Sequence, residues 1–191
     1  IIPYLNEGLR MITEGIPPSI IESAAKQLGF PLGPIQLVDE TSIELGAKIA
    51  RATRAAMGKS YPNDQIDEIL FWMEDKGRLG RKANAGFFNY DENGKREGFW
   101  KGLEEKYPIS KTIPHLTEVQ HRLMFIQALE AVRALEEGVL MDIREGDVGA
   151  VLGWGFAPWS GGPLSWLDIL GTPYAAEPVS YTHLRAHETI R

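Results

Sequence analysis

The sequence predicts an all-α fold built from two homologous helical repeats with a small β-hairpin between them. Three observations carry this. Apolar residues recur at helical spacing through most of the chain, and glycine or proline punctuates each run. Only one short stretch reads as strand–turn–strand, Gly86-Phe87-Phe88-Asn89-Tyr90, then Asp91-Glu92-Asn93-Gly94, then Phe99-Trp100. Finally, the loop and helix start Gly29-Phe30-Pro31-Leu32-Gly33-Pro34-Ile35-Gln36-Leu37-Val38-Asp39 has an echo in Gly155-Phe156-Ala157-Pro158-Trp159-Ser160-Gly161-Gly162-Pro163-Leu164-Ser165-Trp166-Leu167-Asp168.

In order along the chain, Leu5, Leu9 and Ile12 mark a first helix stopped by Gly15. Ile21, Ala24, Ala25 and Leu28 share one face of a second, from about Pro18 to the stop at Gly29. Pro34 suits the first turn of a short third helix, since it has no N–H to lose and its φ is already near helical. That helix yields near Thr41-Ser42 to a longer one carrying Ile43, Ala47 and Ala50 and ending at Gly58. Asn63 is an expected N-cap for the stripe Ile66, Ile69, Leu70 and Met73, which Gly77 closes. Pro108 and Pro114 bracket loop. Thr117-x-x-Gln120 has the form of a capping box for a helix reaching Glu137, whose apolar residues Leu123, Met124, Phe125, Ile126, Leu129, Val132 and Leu135 cover most of its circumference and predict near-complete burial. Asp142-x-x-Glu145 opens a helix ending near Gly153, and Pro163 starts the last, through Leu167.

The repeats align beyond the loops. Glu7, Arg10 and Glu14-Gly15-Ile16 match Glu130, Arg133 and Glu137-Gly138-Val139 with one constant shift, and Gly33-Pro34 and Asp39 match Gly162-Pro163 and Asp168 after a short insertion. The expected organisation is a first repeat over residues 1–76, a basic loop and hairpin connector over 77–116, and a second repeat over 117–178. Val179-Ser180-Tyr181-Thr182-His183-Leu184 reads as a translated sequencing-library adapter, so residues 179–191 are set aside and the natural chain is expected to continue past about Pro178. Ile1-Ile2-Pro3-Tyr4 likewise reads as the middle of a longer chain.

With 191 residues, 43% hydrophobic, the chain can bury a sizeable core. A net charge of −6 argues against a nucleic-acid scaffold, which needs a concentrated basic surface. There is no cysteine, hence no disulfide frame and no thiolate chemistry, and the expected location is cytoplasmic. No apolar run approaches the ~20 residues of a membrane span.

Signatures of catalysis are scarce. No Gly-x-Gly-x-x-Gly, Walker loop, His-Glu-x-x-His or Gly-x-Ser-x-Gly is present. Outside 179–191 the histidines are His115 and His121, read as structural or solvated, and no spaced ligand set suggests a metal. Glu7 with Arg10 and Glu130 with Arg133 are i, i+3 pairs on apolar helices, where a buried carboxylate needs a partner. Each is read as pairing with its Arg or capping a neighbouring helix, with a general base as the rival reading. Asp39 and Asp168 are placed to bond neighbouring helix N-termini. Lys76, Arg78, Arg81 and Lys82 put four cations in seven residues, either a solvated loop or a holder for phosphate.

Pro3-Tyr4-Leu5-Asn6-Glu7, Gly29 to Asp39, Arg81-Lys82-Ala83-Asn84-Ala85-Gly86-Phe87-Phe88-Asn89-Tyr90 and Gly155 to Pro163, in this order, resemble the C-terminal helical region of 3-hydroxyacyl-CoA dehydrogenases. The duplicated form resembles the bacterial multifunctional β-oxidation α-subunit, which joins enoyl-CoA hydratase and dehydrogenase. The resemblance implies a fold like the 6-phosphogluconate dehydrogenase C-terminal domain and NAD-dependent oxidation of a 3-hydroxyacyl-CoA. It also implies that NAD and the catalytic His/Glu pair belong to an upstream Rossmann domain, so no catalytic residue is assigned here. Phe30, Pro31, Leu32, Gly33 and Pro34 are implied to wall the acyl-CoA cleft, and a thiolase subunit is an implied partner. Two positions depart from the family pattern: Glu40-Thr41-Ser42-Ile43-Glu44 replaces a usual Gly-x-Asp, and Leu32 stands where Met is frequent. Single-repeat relatives dimerise through this region, so the second repeat is expected to stand in for a partner subunit. The rival expectation is a non-catalytic helical module for oligomerisation or partner binding.

Overall fold

Helices form where the periodicity and the stops place them, and the computed structural model describes residues 1–61 and 65–171. The expected N-cap Asn63 and all of 179–191, with His183 and His187, lie outside the described residues. In order come α1 (Ile2–Thr13), α2 (Pro18–Gln27), α3 (Pro34–Thr41), α4 (Ile43–Met57), α5 (Gln65–Asp75), β1 (Phe88–Tyr90), β2 (Arg96–Phe99), α6 (Gly102–Lys106), α7 (Leu116–Glu136), α8 (Ile143–Trp154) and α9 (Pro163–Leu170). The all-α class with one hairpin therefore holds. The described residues fall into two compact units, one of residues 1–7, 23–32 and 114 onward, the other of residues 8–22 and 33–113.

In the second of these units, α4 packs on α3 and α5, with Ile35, Ile43, Ala47, Ile69 and Met73 fully buried. The hairpin pairs Phe88 with Phe99 and Tyr90 with Arg96, with a bulge between. Its two Phe rings stack at 4.1 Å. Asp91 closes the turn by accepting the Asn93 and Lys95 N–H groups at 2.9 and 2.8 Å. The short helix α6 stands between the hairpin and the Pro-bracketed loop and was not expected. It is five residues long and exists because Leu103 is buried, a tertiary cause that a local pattern does not carry.

In the first unit, α9 packs on both α7 and α8, and Phe125 meets Trp166 at 4.7 Å. Val119 and Leu123 to Ala128 are buried, but from Leu129 onward α7 is half-buried or exposed. This corrects the expectation of a nearly buried helix. Apolar residues around a whole circumference say that cover is wanted, yet α9, with eight residues, is only about 12 Å long. Ala131 and Ala134 of α7 and Gly146 and Gly149 of α8 instead line a cavity of about 260 Å³.

The capping of α7 also differs. His115 is its N-cap, accepting the Thr117 N–H at Nδ1, so Thr117 is inside the helix and the expected box was set two residues late. At α8 the box forms with a slip of one residue. Asp142 accepts the Arg144 N–H at 2.8 Å, and Glu145 reaches back to the N–H of Met141.

Candidate functional site

Phe30 is 4% exposed and stacks on Tyr4, with ring centroids 4.9 Å apart; its other neighbour is Phe156, met edge-on at 5.6 Å. The Tyr4 hydroxyl donates to the carbonyl of Leu32 at 2.8 Å. At the start of the same loop, the Trp159 indole N–H donates to the carbonyl of Leu28 at 2.6 Å. The two Gly/Pro loops thus approach each other reciprocally. A Cβ on Gly29 would touch Trp159 and Pro158, and one on Gly155 would run into the Pro31 ring. Both glycines also have positive φ, 91° and 75°, which an L side chain resists. Of the five expected cleft residues, Phe30, Gly33 and Pro34 are buried, Leu32 is half-buried and Pro31 is exposed. Pro31 and Leu32 are therefore the side chains a ligand could reach.

At α3, Gly33 is an N-cap without a side chain and Pro34 has no N–H. The next two N–H groups, of Ile35 and Gln36, are taken by the Glu22 carboxylate at 2.9 and 3.2 Å. At α9 the N–H groups of Leu164 and Ser165 go to the Asp147 carboxylate at 2.8 and 3.1 Å, and the Ser165 hydroxyl joins them at 2.6 Å. Glu22 and Asp147 are 6% and 5% exposed. A carboxylate favours a helix N-terminus because the dipole and the unpaired donors both attract it. Sequence reasoning missed both residues. The available signal was a single acid on each otherwise apolar or small-residue face, beside Ile21 and Ala25 and beside Gly146 and Ala150.

Asp39, expected to meet a helix N-terminus, instead anchors the hairpin. It accepts the Phe87 and Phe88 N–H groups at 2.8 and 3.0 Å and the Tyr90 hydroxyl at 2.9 Å. The turn at Gly86 permits this, because a Cβ there would collide with the Asp39 carboxylate. Burial raises the Asp39 carboxyl above its ordinary value, against the lowering by its three donors and by Arg78. Burial raises Tyr90 as well, helped by the Asp39 charge. Asp168, in the matching place on α9, is exposed.

The basic run divides. Arg78 holds the hairpin backbone, donating to the carbonyls of Gly86 and Phe88 at 2.7 and 2.9 Å and to the Asn89 side chain at 2.8 Å, and its guanidinium lies 4.5 Å from the Trp100 ring centroid. Burial lowers its pKa. Arg81 pairs with Glu40 at 2.9 Å, while Lys76 and Lys82 are exposed. Two of the four cations are thus engaged by groups of the protein itself. Glu7 and Arg122 form an ion pair at 2.6 Å with side chains only 3% and 4% exposed, a partner that the i, i+3 reading did not anticipate. Glu130 and Arg133 do pair, at 3.5 Å, but on the surface. His121 packs edge-on against Phe125 at 5.8 Å, and burial lowers its pKa. Among the described residues no group of three His, Asp or Glu is gathered that could hold a metal ion, and no helix is long and apolar enough to cross a membrane.

Residues 1–90 match the family model described as 3-hydroxyacyl-CoA dehydrogenase, C-terminal domain. Two solved structures share the fold. The dehydrogenase part of multifunctional enzyme 1 from C. elegans superposes with a TM-score of 0.60 at 23% identity, over 80% of this chain and 35% of that one. The 3-hydroxybutyryl-CoA dehydrogenase of Escherichia coli K12 superposes with a TM-score of 0.69 at 15% identity, over 98% of this chain and 55% of that one. The chain thus spans well under two thirds of either. A dinucleotide cofactor needs a parallel sheet whose glycine-rich strand-to-helix turn meets the pyrophosphate. Among the described residues the sheet is a two-stranded antiparallel hairpin, which does not supply such a turn.

Proposed function

We propose that this chain is the helical C-terminal part of an NAD-dependent 3-hydroxyacyl-CoA dehydrogenase of fatty-acid β-oxidation. Its role is to wall the acyl-CoA cleft, while NAD and the catalytic His/Glu pair sit on a Rossmann domain upstream. The observation that carries this reading is the family match over residues 1–90, which includes the whole loop Phe30 to Pro34. Pro31 and Leu32 offer apolar, accessible surface to an acyl chain, on a loop fixed at both ends by the Tyr4 and Trp159 donors. The second Gly/Pro loop is read as structural.

The likeness of the two loops and of their caps supports a duplication, with repeats over 1–76 and 117–178 and a connector over 77–116. The second repeat would cover the first as a partner subunit does in a two-fold dimer. In support, residues 1–7 and 23–32 lie in one compact unit with residue 114 onward, and the buried Glu7–Arg122 pair joins their helices. A coupled hydratase and a thiolase partner are further readings of the same kind, as is a cytoplasmic location.

The test is the reading frame upstream. It should encode a strand followed by Gly-x-Gly-x-x-Gly, and the full-length protein should reduce NAD with a 3-hydroxyacyl-CoA, while the 191-residue chain neither binds NAD nor turns over substrate. Hydride transfer by the short chain would overturn the reading. The cover by the second repeat is tested by deleting residues 118–171: a soluble, folded, monomeric remnant would count against it.

A further inference from the structure

We infer that Glu22 is a positioning residue for the acyl-CoA, whereas Asp147, which caps α9 in a similar way, serves the fold alone. The inference rests on the functional reading above. Gly33 and Pro34 end the expected cleft loop and start α3, and the structure gives this start no local cap. A Ser or Asp at the N-cap would supply one from the loop itself. Here the cap comes from a different helix, through a buried carboxylate thirteen residues earlier that accepts both the Ile35 and Gln36 N–H groups. The fit is close, since a Cβ on Gly33 would collide with that carboxylate.

The consequence is geometric. Glu22 lies on α2, which leads into the loop, and its bonds fix the first turn of α3, which leads out. One side chain therefore fixes the start of α3, and Gly33 with it. Leu32, half-buried, is the next residue in the chain to this fixed Gly33. Substrate positioning is sensitive to small shifts: a displacement of ~1 Å can lower a rate by about a hundredfold. Asp147 performs the same task on α9 with one bond more, to the Ser165 hydroxyl, yet its loop lies outside residues 1–90, the stretch matched by the family model. Two similar straps on two unequal loops provide an internal control.

The experiment compares E22Q, E22D and D147N in the full-length dehydrogenase, reading KM for a 3-hydroxyacyl-CoA, KM for NAD, kcat and the thermal midpoint. E22Q is expected to raise the acyl-CoA KM by about tenfold while the NAD KM stays within about twofold, because the lost interaction concerns one substrate only. E22D, whose shorter side chain draws the carboxylate back from α3, should raise the acyl-CoA KM by about threefold, again at constant NAD KM. D147N should lower the thermal midpoint and leave both KM values in place. If E22Q does not fold, the E22D shift in acyl-CoA KM at constant NAD KM decides. The inference is overturned if the Glu22 variants lower the thermal midpoint as D147N does and leave the acyl-CoA KM unchanged in an active enzyme. A wild-type protein that does not oxidise a 3-hydroxyacyl-CoA overturns the functional reading and this inference with it.

Discussion

The short helices that follow the two Gly/Pro loops begin alike and continue differently. Each starts at a Gly-Pro pair, and each has its first free N–H groups taken by a buried acid from the preceding long helix, Glu22 for α3 and Asp147 for α9. Five residues after the proline each carries an Asp. Asp39 is 1% exposed and holds three donors of the hairpin, while Asp168 is exposed. The start of the helix is thus a local device that works wherever the sequence recurs. The fate of the acid at its end depends on what the chain lays over it.

The largest expected effect lies at that difference. Asp39→Ala leaves two backbone N–H groups and a phenol facing a buried void, so the chain should lose about 3 kcal/mol in urea unfolding. Asp168→Ala should stay within about 0.5 kcal/mol. Equal losses would show that the two acids do the same work. Next come the two glycines that press on the caps. Gly33 has φ −69°, which alanine accepts, so Gly33→Ala meets only the crowding by Glu22, about 1 kcal/mol. Gly162 combines the same crowding by Asp147 with φ of 121°, and Gly162→Ala should cost about 2–3 kcal/mol. The thermal midpoints of the two variants give the order directly.

Much of this was legible beforehand, and the reason is physical. Helix starts and stops are written locally, so Pro34, Gly29 and Gly155 announce α3 and the two loops. The hairpin is announced by its turn residues, and the family resemblance rests on motifs that keep their spacing. What stayed hidden is what one segment does to another far along the chain. Glu22, Asp147 and the Glu7–Arg122 pair, 115 residues apart in sequence, leave no periodic trace. Arg78 looked like one of four free cations until the hairpin carbonyls claimed it. Asp39 was singled out correctly as a bonded acid, but its donors are two N–H groups at the start of the hairpin and the Tyr90 hydroxyl rather than a helix end.

Burial, which separates Asp39 from Asp168, should also be visible as a pH dependence. Burial raises the Asp39 carboxyl above its ordinary 3.8, so the folded state binds this proton more tightly than the unfolded state. The stability it contributes is then fully present below about pH 3.8 and lost as pH rises through the raised value. In paired urea titrations, the wild type should lose ground to Asp39→Asn across that window and run parallel to it above. A wild type that gains on the variant as pH rises would mean that its three donors outweigh burial.

The smallest effects test the two anchors of the first loop. The Tyr4 hydroxyl holds the Leu32 carbonyl at one end and the Trp159 indole holds the Leu28 carbonyl at the other. The bonds are alike in kind, but Tyr4 is 1% exposed and Trp159 62%. Removing a donor from a dry site leaves its acceptor unpaired, whereas in a wet site water takes its place. Tyr4→Phe should therefore destabilise by about 1–1.5 kcal/mol, and Trp159→Phe by about 0.5 kcal/mol, read from urea midpoints at constant slope. The reverse order would mean that the second loop, rather than α1, fixes the first, and would move the centre of the reciprocal contact from the Tyr4–Phe30 stack to the Gly29–Trp159 approach.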